Sequence, residues 1–125
     1  MLVGGMMLAL TLAWAAEDAP PDYVKLMKDL GRQNGAIRKG ADVEKNATEM
    51  QATATKMIAF WKARKVEDAV KSAEDNLKGA EAVAVAAKAN SAEGVAAGMK
   101  MIGGSCKSCH DAHREKVGQD EYKIK

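Results

Sequence analysis

Aromatic residues are scarce in this chain, with one Phe, two Tyr and two Trp among 125 residues. Proline occurs only at Pro20 and Pro21, so no helix breaker of that kind lies downstream. Long alternating runs of β-branched or aromatic residues are missing, which removes the sheet-rich folds. An excess of one charge is missing too. Lys and Arg total 19 against 17 Asp and Glu, a formal net charge of +2. The charges are interspersed as on a solvated helix surface, with no basic stripe for nucleic acid. Cysteine and histidine number two each, and all four lie between residues 106 and 113. What remains is rich in Ala, Lys, Glu and Met, residues that lose little on entering a helix.

The start of the chain stands apart. Leu2 to Trp14 is an uncharged, mostly apolar run, closed by the small-x-small sequence Ala13-Trp14-Ala15 and followed by acidic residues and prolines. It is shorter than the roughly 20 residues a transmembrane helix needs. It fits the apolar region of a secretory signal peptide, residues 1–16, cleaved after Ala15 or Ala16. No Lys or Arg precedes the run, so the true start lies upstream or the peptide is atypical; the competing reading is a retained membrane anchor. Export places the protein in the periplasm, an oxidising compartment, with no stable membrane insertion after cleavage.

Residues 17–125 form a single domain in which apolar spacing is helical throughout. The spacing predicts four segments: Asp22 to Lys39, about Val43 to Arg64, about Val66 to Ala89 and about Ala92 to Val117. The inward seams read Tyr23, Leu26, Met27, Leu30, Ile37; then Val43, Ala47, Met50, Ala54, Met57, Trp61. The third and fourth read Val66, Val70, Ala73, Leu77, Ala80, Ala84, Ala87 and Val95, Met99, Ile102, Cys106, Cys109, His113. Steps of three and four keep each set on one helix face. Gly40 ends the first segment, Asp42 offers an N-cap for the second and Ser91 one for the fourth. The alternative to a turn near Arg64–Val66 is one helix far too long for so small a domain. The expected fold is all-α, an antiparallel up-down-up-down four-helix bundle. "GQDEYKIK" reads as a short extended or frayed end. So many Ala and Met on the seams, with so few aromatics, leave the interior under-filled, with room for a large apolar cofactor.

Cys106-Lys107-Ser108-Cys109-His110 admits three chemistries. A redox dithiol wants C-x-x-C at a helix N-terminus, where the thiol pKa falls, but this motif comes late in a helix. Zinc finds four ligand types in Cys106, Cys109, His110 and His113, yet one-sided spacing on one helix does not surround an ion, and no second segment supplies Cys or His. C-x-x-C-H is also the attachment sequence of c-type haem. Two thiols three residues apart reach the two vinyl groups on one edge of the porphyrin, and the following histidine meets the iron from one side. The one-sided presentation favours one covalent haem c over the other two, with Cys106 and Cys109 as thioethers and His110 as axial ligand.

With this motif on the last of four helices, the chain resembles the class II c-type cytochromes, the cytochrome c′ and cytochrome c-556 family. The resemblance spans about Asp22 to Lys116, and its specific part is "IGGSCKSCHDAHR", residues 102–114. Gly103 matches a small residue three positions before the first cysteine; Arg114 matches an arginine that lies near the haem, beside its proximal face. His113 departs from the aromatic residue usual there, and is read as a partly exposed helix residue. "YVKLMKDLG", residues 23–31, is similar to the c-556 pattern of Met followed four residues later by Gly. That resemblance implies Met27 as sixth iron ligand with Gly31 as its marker, although Tyr23 stands where the family has arginine. The other methionines of the domain read as core filler.

The implied function is that of an exported one-electron carrier with low-spin His/Met iron, not an enzyme. It would meet redox partner proteins through rim lysines such as Lys100, Lys107 and Lys116. The family also implies a possible homodimer. The alternative is a five-coordinate, high-spin protein that binds small gases such as NO or CO, and the two differ at Met27. Peroxidase chemistry ranks below both, because both histidines lie in the attachment segment and leave no distal His/Arg pair.

Overall fold

A computed structural model describes residues 16–119 and 121–125. All of the expected signal peptide except Ala16 lies outside the described residues. The domain consists of four helices, α1 (Pro21–Arg38), α2 (Val43–Ala63), α3 (Glu67–Lys88) and α4 (Ala92–His113). Two short strands follow, β1 (Arg114–Lys116) and β2 (Tyr122–Ile124). Among the described residues, no helix is long and apolar enough to cross a membrane.

Each break has a local cause. Pro21 opens α1, where a missing N–H costs nothing, and Gly40 at φ 72° ends it. The turn between α2 and α3 is real, made by Lys65 at φ 58° with Val66 N–H donating to the Trp61 carbonyl. Asn90 at φ 53° ends α3, and Ser91 Oγ caps α4 by accepting from Gly94 N–H at 3.1 Å. Asp42 does not cap α2. It sits in the left-handed region at φ 43° with no side-chain cap bond, and Asn46 Nδ2 reaches back to the Ala41 and Asp42 carbonyls instead.

Consecutive helices pack side by side and run in opposite directions. Across α1 and α2, Tyr23 meets Phe60 and Trp61 near one end, while Gln33 Nε2 donates to Thr53 Oγ1 further along. Between α3 and α4 the partners pair off in reverse order, as Ser72 with Ser108, Asn76 with Ser105, Gly79 with Ile102 and Val83 with Gly98. Two glycines make that approach close. A Cβ at Gly79 would lie 2.8 Å from Ile102 Cγ1, and one at Gly98 would lie 2.6 Å from Val83 Cγ2. Trp61, Met50, Ile102 and Val83 are the largest fully buried apolar side chains. Burial of each contributes about 1.5–3 kcal/mol.

The α3 seam is rotated from the expected one. Asn76, Gly79, Val83 and Ala86 are buried, whereas Leu77, Ala84 and Ala87 are only partly so. The small residues let α4 approach, so contact follows the side chains that permit proximity rather than the most apolar ones.

The fourth helix stops at His113, not at Val117 as its pattern predicts. Arg114 is extended, and β1 pairs antiparallel with β2, Arg114 opposite Ile124 and Lys116 opposite Tyr122. Residues 114–117 are exposed, so no buried helix face holds them helical, and strand pairing takes over their backbone groups. The tail is extended as expected but pinned. Glu17 and Ile124 exchange backbone hydrogen bonds of 2.8 and 2.9 Å, Arg64 pairs with Glu17, and Ile124 is buried.

Candidate functional site

Helix α1 packs on α2, α2 on α3 and α3 on α4, while a cavity of about 730 Å³ lies between α1 and α4. Its volume falls within the range of about 300–1,000 Å³ usual for small-molecule and cofactor sites. Met27, Leu30 and Gly31 line it from α1; Ile102, Cys106, Cys109 and His110 line it from α4. Met50 and Asn76 reach it from the middle helices, and the ribbon residues Tyr122 and Ile124 close one end. The under-filled interior expected from composition is therefore a definite hollow. All five residues singled out by sequence, Met27, Cys106, Cys109, His110 and Arg114, line it together.

Cys106 and Cys109 are free thiols, both half-buried, on the cavity side of α4. Burial pushes the Cys106 thiol up, opposed by hydrogen bonds with Ser105 and Asn76. Burial, then the nearby Asp68 and Cys106, pushes Cys109 up to about 11. Both thiols therefore titrate above the ordinary cysteine value, opposite to the lowered pKa of an activated dithiol. Among the described residues, no group of three or more His, Cys, Asp or Glu is placed to hold a metal ion.

His110 is moved the other way. Burial, then the Arg114 guanidinium, lower its pKa against the opposing pull of Asp111. A neutral imidazole at pH 7 has a ring nitrogen lone pair available for coordination. Arg114 lies at the junction of α4 and the ribbon, its guanidinium 4.1 Å from the centroid of the Tyr122 ring. That stacking fixes a cation at the cavity's end.

His113 is partly exposed, as read from the sequence, with its side chain at 16 %, and its ring is engaged on both nitrogens. Nε2 lies 2.7 Å from Asp68 Oδ2, Nδ1 lies 3.1 Å from the Lys125 carbonyl oxygen, and the ring is 5.3 Å from Trp61. It fastens three elements, the end of α4, the start of α3 and the C-terminal residue. The hydrogen bond with His113 holds the Asp68 carboxyl below its usual range.

Sequence reasoning placed Tyr23 and Trp61 on the inward seams without a role and passed over Asn76. Tyr23 is not a bare gap where an arginine is usual; it stacks on Phe60 at 4.4 Å and meets Trp61 edge-on at 5.6 Å. Burial chiefly, and then Cys109, raise its phenol pKa, so it stays a neutral hydroxyl. Asn76 is buried against Ser105 and Cys106, and Trp61, also buried, lies outside the cavity lining and packs behind Tyr23. A polar residue at a seam position, as Asn76 is between Ala73 and Ala80, is the signal that marks such a side chain in advance.

Searches against protein-family models, curated proteins and solved structures gave no match to this chain.

Proposed function

We propose that the protein is an exported monohaem c-type cytochrome of the class II kind, working as a one-electron carrier. The observation that carries this reading is the convergence of Cys106, Cys109 and His110 from α4 with Met27 from α1 on one largely apolar cavity. The residues present fit the group. Cys106 and Cys109 would hold it by thioethers, His110 and Met27 would bind its iron, and Arg114 would stand beside it. When bound, the haem supplies a one-electron iron couple whose potential is raised by His/Met ligation.

The chain's own contribution is to hold, shield and position. Half-burial raises the pKa values of both thiols and lowers that of His110, which leaves the imidazole neutral in the haem-free chain. Leu30, Met50 and Ile102 give the cavity an apolar wall, and residues of the ribbon line one end. No side chain is required to move a proton, since a carrier only gains and loses an electron. Docking to redox partner proteins in the periplasm would use charged residues of the cavity rim, where Lys28 and Lys123 stand beside Asp18 and Glu121. Lys100, Lys107 and Lys116, named from the sequence, are not among the residues that line the cavity.

Mass spectrometry of the exported chain tests the assignment. A haem mass added to the peptide bearing Cys106 and Cys109, and lost when both are replaced by Ser, is the expected result. An unmodified peptide from cells that mature other c-type cytochromes contradicts it.

A further inference from the structure

Beside the large cavity, and sharing Cys106, Cys109 and His110 with it, lies a recess of about 20 Å³ that also holds three buried polar side chains the electron-carrier reading does not use. Tyr23, Trp61 and Asn76 all line it, and they are only 7 %, 1 % and 1 % exposed. Trp61 Nε1–H makes no well-aligned hydrogen bond among the described residues, although the Tyr23 hydroxyl is near enough for the indole N–H to lower its pKa. Asn76 Oδ1 has no donor among them either, while Asn76 Nδ2 is engaged by Ser105 Oγ at 3.4 Å and Cys106 Sγ at 3.7 Å. One hollow is therefore lined by the residues that carry an unpaired donor, an unpaired acceptor and a hydroxyl able to play either part.

A buried polar atom without a well-formed hydrogen bond is costly, so two carried by residues of one recess form a strong demand for a ligand. The recess dictates its size. A water needs roughly 10–15 Å³ of such space and makes about three hydrogen bonds when buried. A diatomic gas or an ion has no room beside it, and an ion would meet no opposite charge in the lining.

We propose that this recess is a binding site for one structural water, which accepts a hydrogen bond from Trp61 Nε1–H and donates to Asn76 Oδ1, with the Tyr23 hydroxyl as third partner. The water ties α1, α2 and α3 together at one point, since Tyr23, Trp61 and Asn76 come from those three helices. Cys109 and His110 line the same recess from α4. The site thus puts an exchangeable hydrogen-bonding molecule into the wall that carries the attachment motif. It does not depend on haem.

Diffraction from crystals of the purified mature protein, at a resolution that places waters, tests it. The expected map has one ordered water within hydrogen-bonding distance of both Trp61 Nε1 and Asn76 Oδ1, and that water is gone in Asn76→Leu crystals. A dry recess, direct pairing of Trp61 Nε1 and Asn76 Oδ1 with protein atoms, or a water that persists in the variant overturns the inference. Should the variant not fold, the wild-type map decides alone. Porphyrin density in the large cavity is judged separately, so a failure of the haem reading and a failure of this one are distinguishable.

Discussion

Replacing Gly98 with alanine presses on the contact that sets α4 against α3. The new Cβ would stand 2.6 Å from Val83 Cγ2 and 3.0 Å from both the Gly79 carbonyl oxygen and the Val83 nitrogen. Carbon atoms in good contact sit about 3.5–4.0 Å apart, so the overlap is on the order of 1 Å. Val83 is fully buried and two of the three obstacles are backbone, so the helices must part locally. Overpacking of this kind costs about 1–3 kcal/mol. Alanine returns about 1 kcal/mol through its better helix propensity. The net expectation is a loss of up to about 2 kcal/mol by these figures. Gly35→Ala is the control, because a Cβ there meets nothing within 4 Å. It should gain about 0.4–1 kcal/mol. Urea unfolding followed by far-ultraviolet circular dichroism measures both. A Gly98→Ala protein as stable as Gly35→Ala would refute the claim that the α3–α4 approach is limited by these glycines.

Three further outcomes are expected. In the haem-loaded protein, Met27→Ala should convert a low-spin spectrum into a high-spin one that responds to carbon monoxide; an unchanged spectrum removes Met27 as ligand. The folded Asp68 carboxyl titrates below its usual range because of His113, so its contribution to stability is present above the ordinary carboxylate pKa and lost as pH falls through the lower, folded value. The lead of the wild type over Asp68→Asn in urea midpoints should shrink with acidification through that window, and a lead that widens contradicts the pairing. In the haem-free chain, the folded state retains the Cys109 proton up to about pH 11, so stability should fall as pH rises above the ordinary thiol value of 9.0. Alkylation of Cys109 by iodoacetamide should accordingly be slower at neutral pH than that of a free cysteine, and equal rates would show the thiol to be unperturbed.

Helix identity and order were legible in the sequence because steps of three and four dominate every segment. Glycine at 40 and serine at 91 mark ends by well-understood backbone chemistry. The cavity lining was legible for a different reason, since Cys106, Cys109 and His110 share a spacing that has one-sided chemistry. Met27 came through resemblance, and the fold brings it to the same hollow. Three things were not legible. The β1–β2 ribbon is short, its first strand is polar and exposed, and its pairing depends on partners as distant as Glu17, so no local period announces it. The rotation of the α3 seam toward Asn76 and Gly79 follows from how closely α4 approaches, a tertiary fact. The partners of His113 were not legible, because Asp68 and the Lys125 carbonyl lie 45 and 12 residues away in the chain.

The most direct test of the central claim is the visible absorption spectrum of the purified exported protein, oxidised and reduced, with and without carbon monoxide. The account predicts sharp low-spin bands of a covalent haem that carbon monoxide leaves unchanged. Absence of haem bands would contradict the reading outright, and a high-spin spectrum that shifts with the gas would replace the electron carrier with a gas-binding protein.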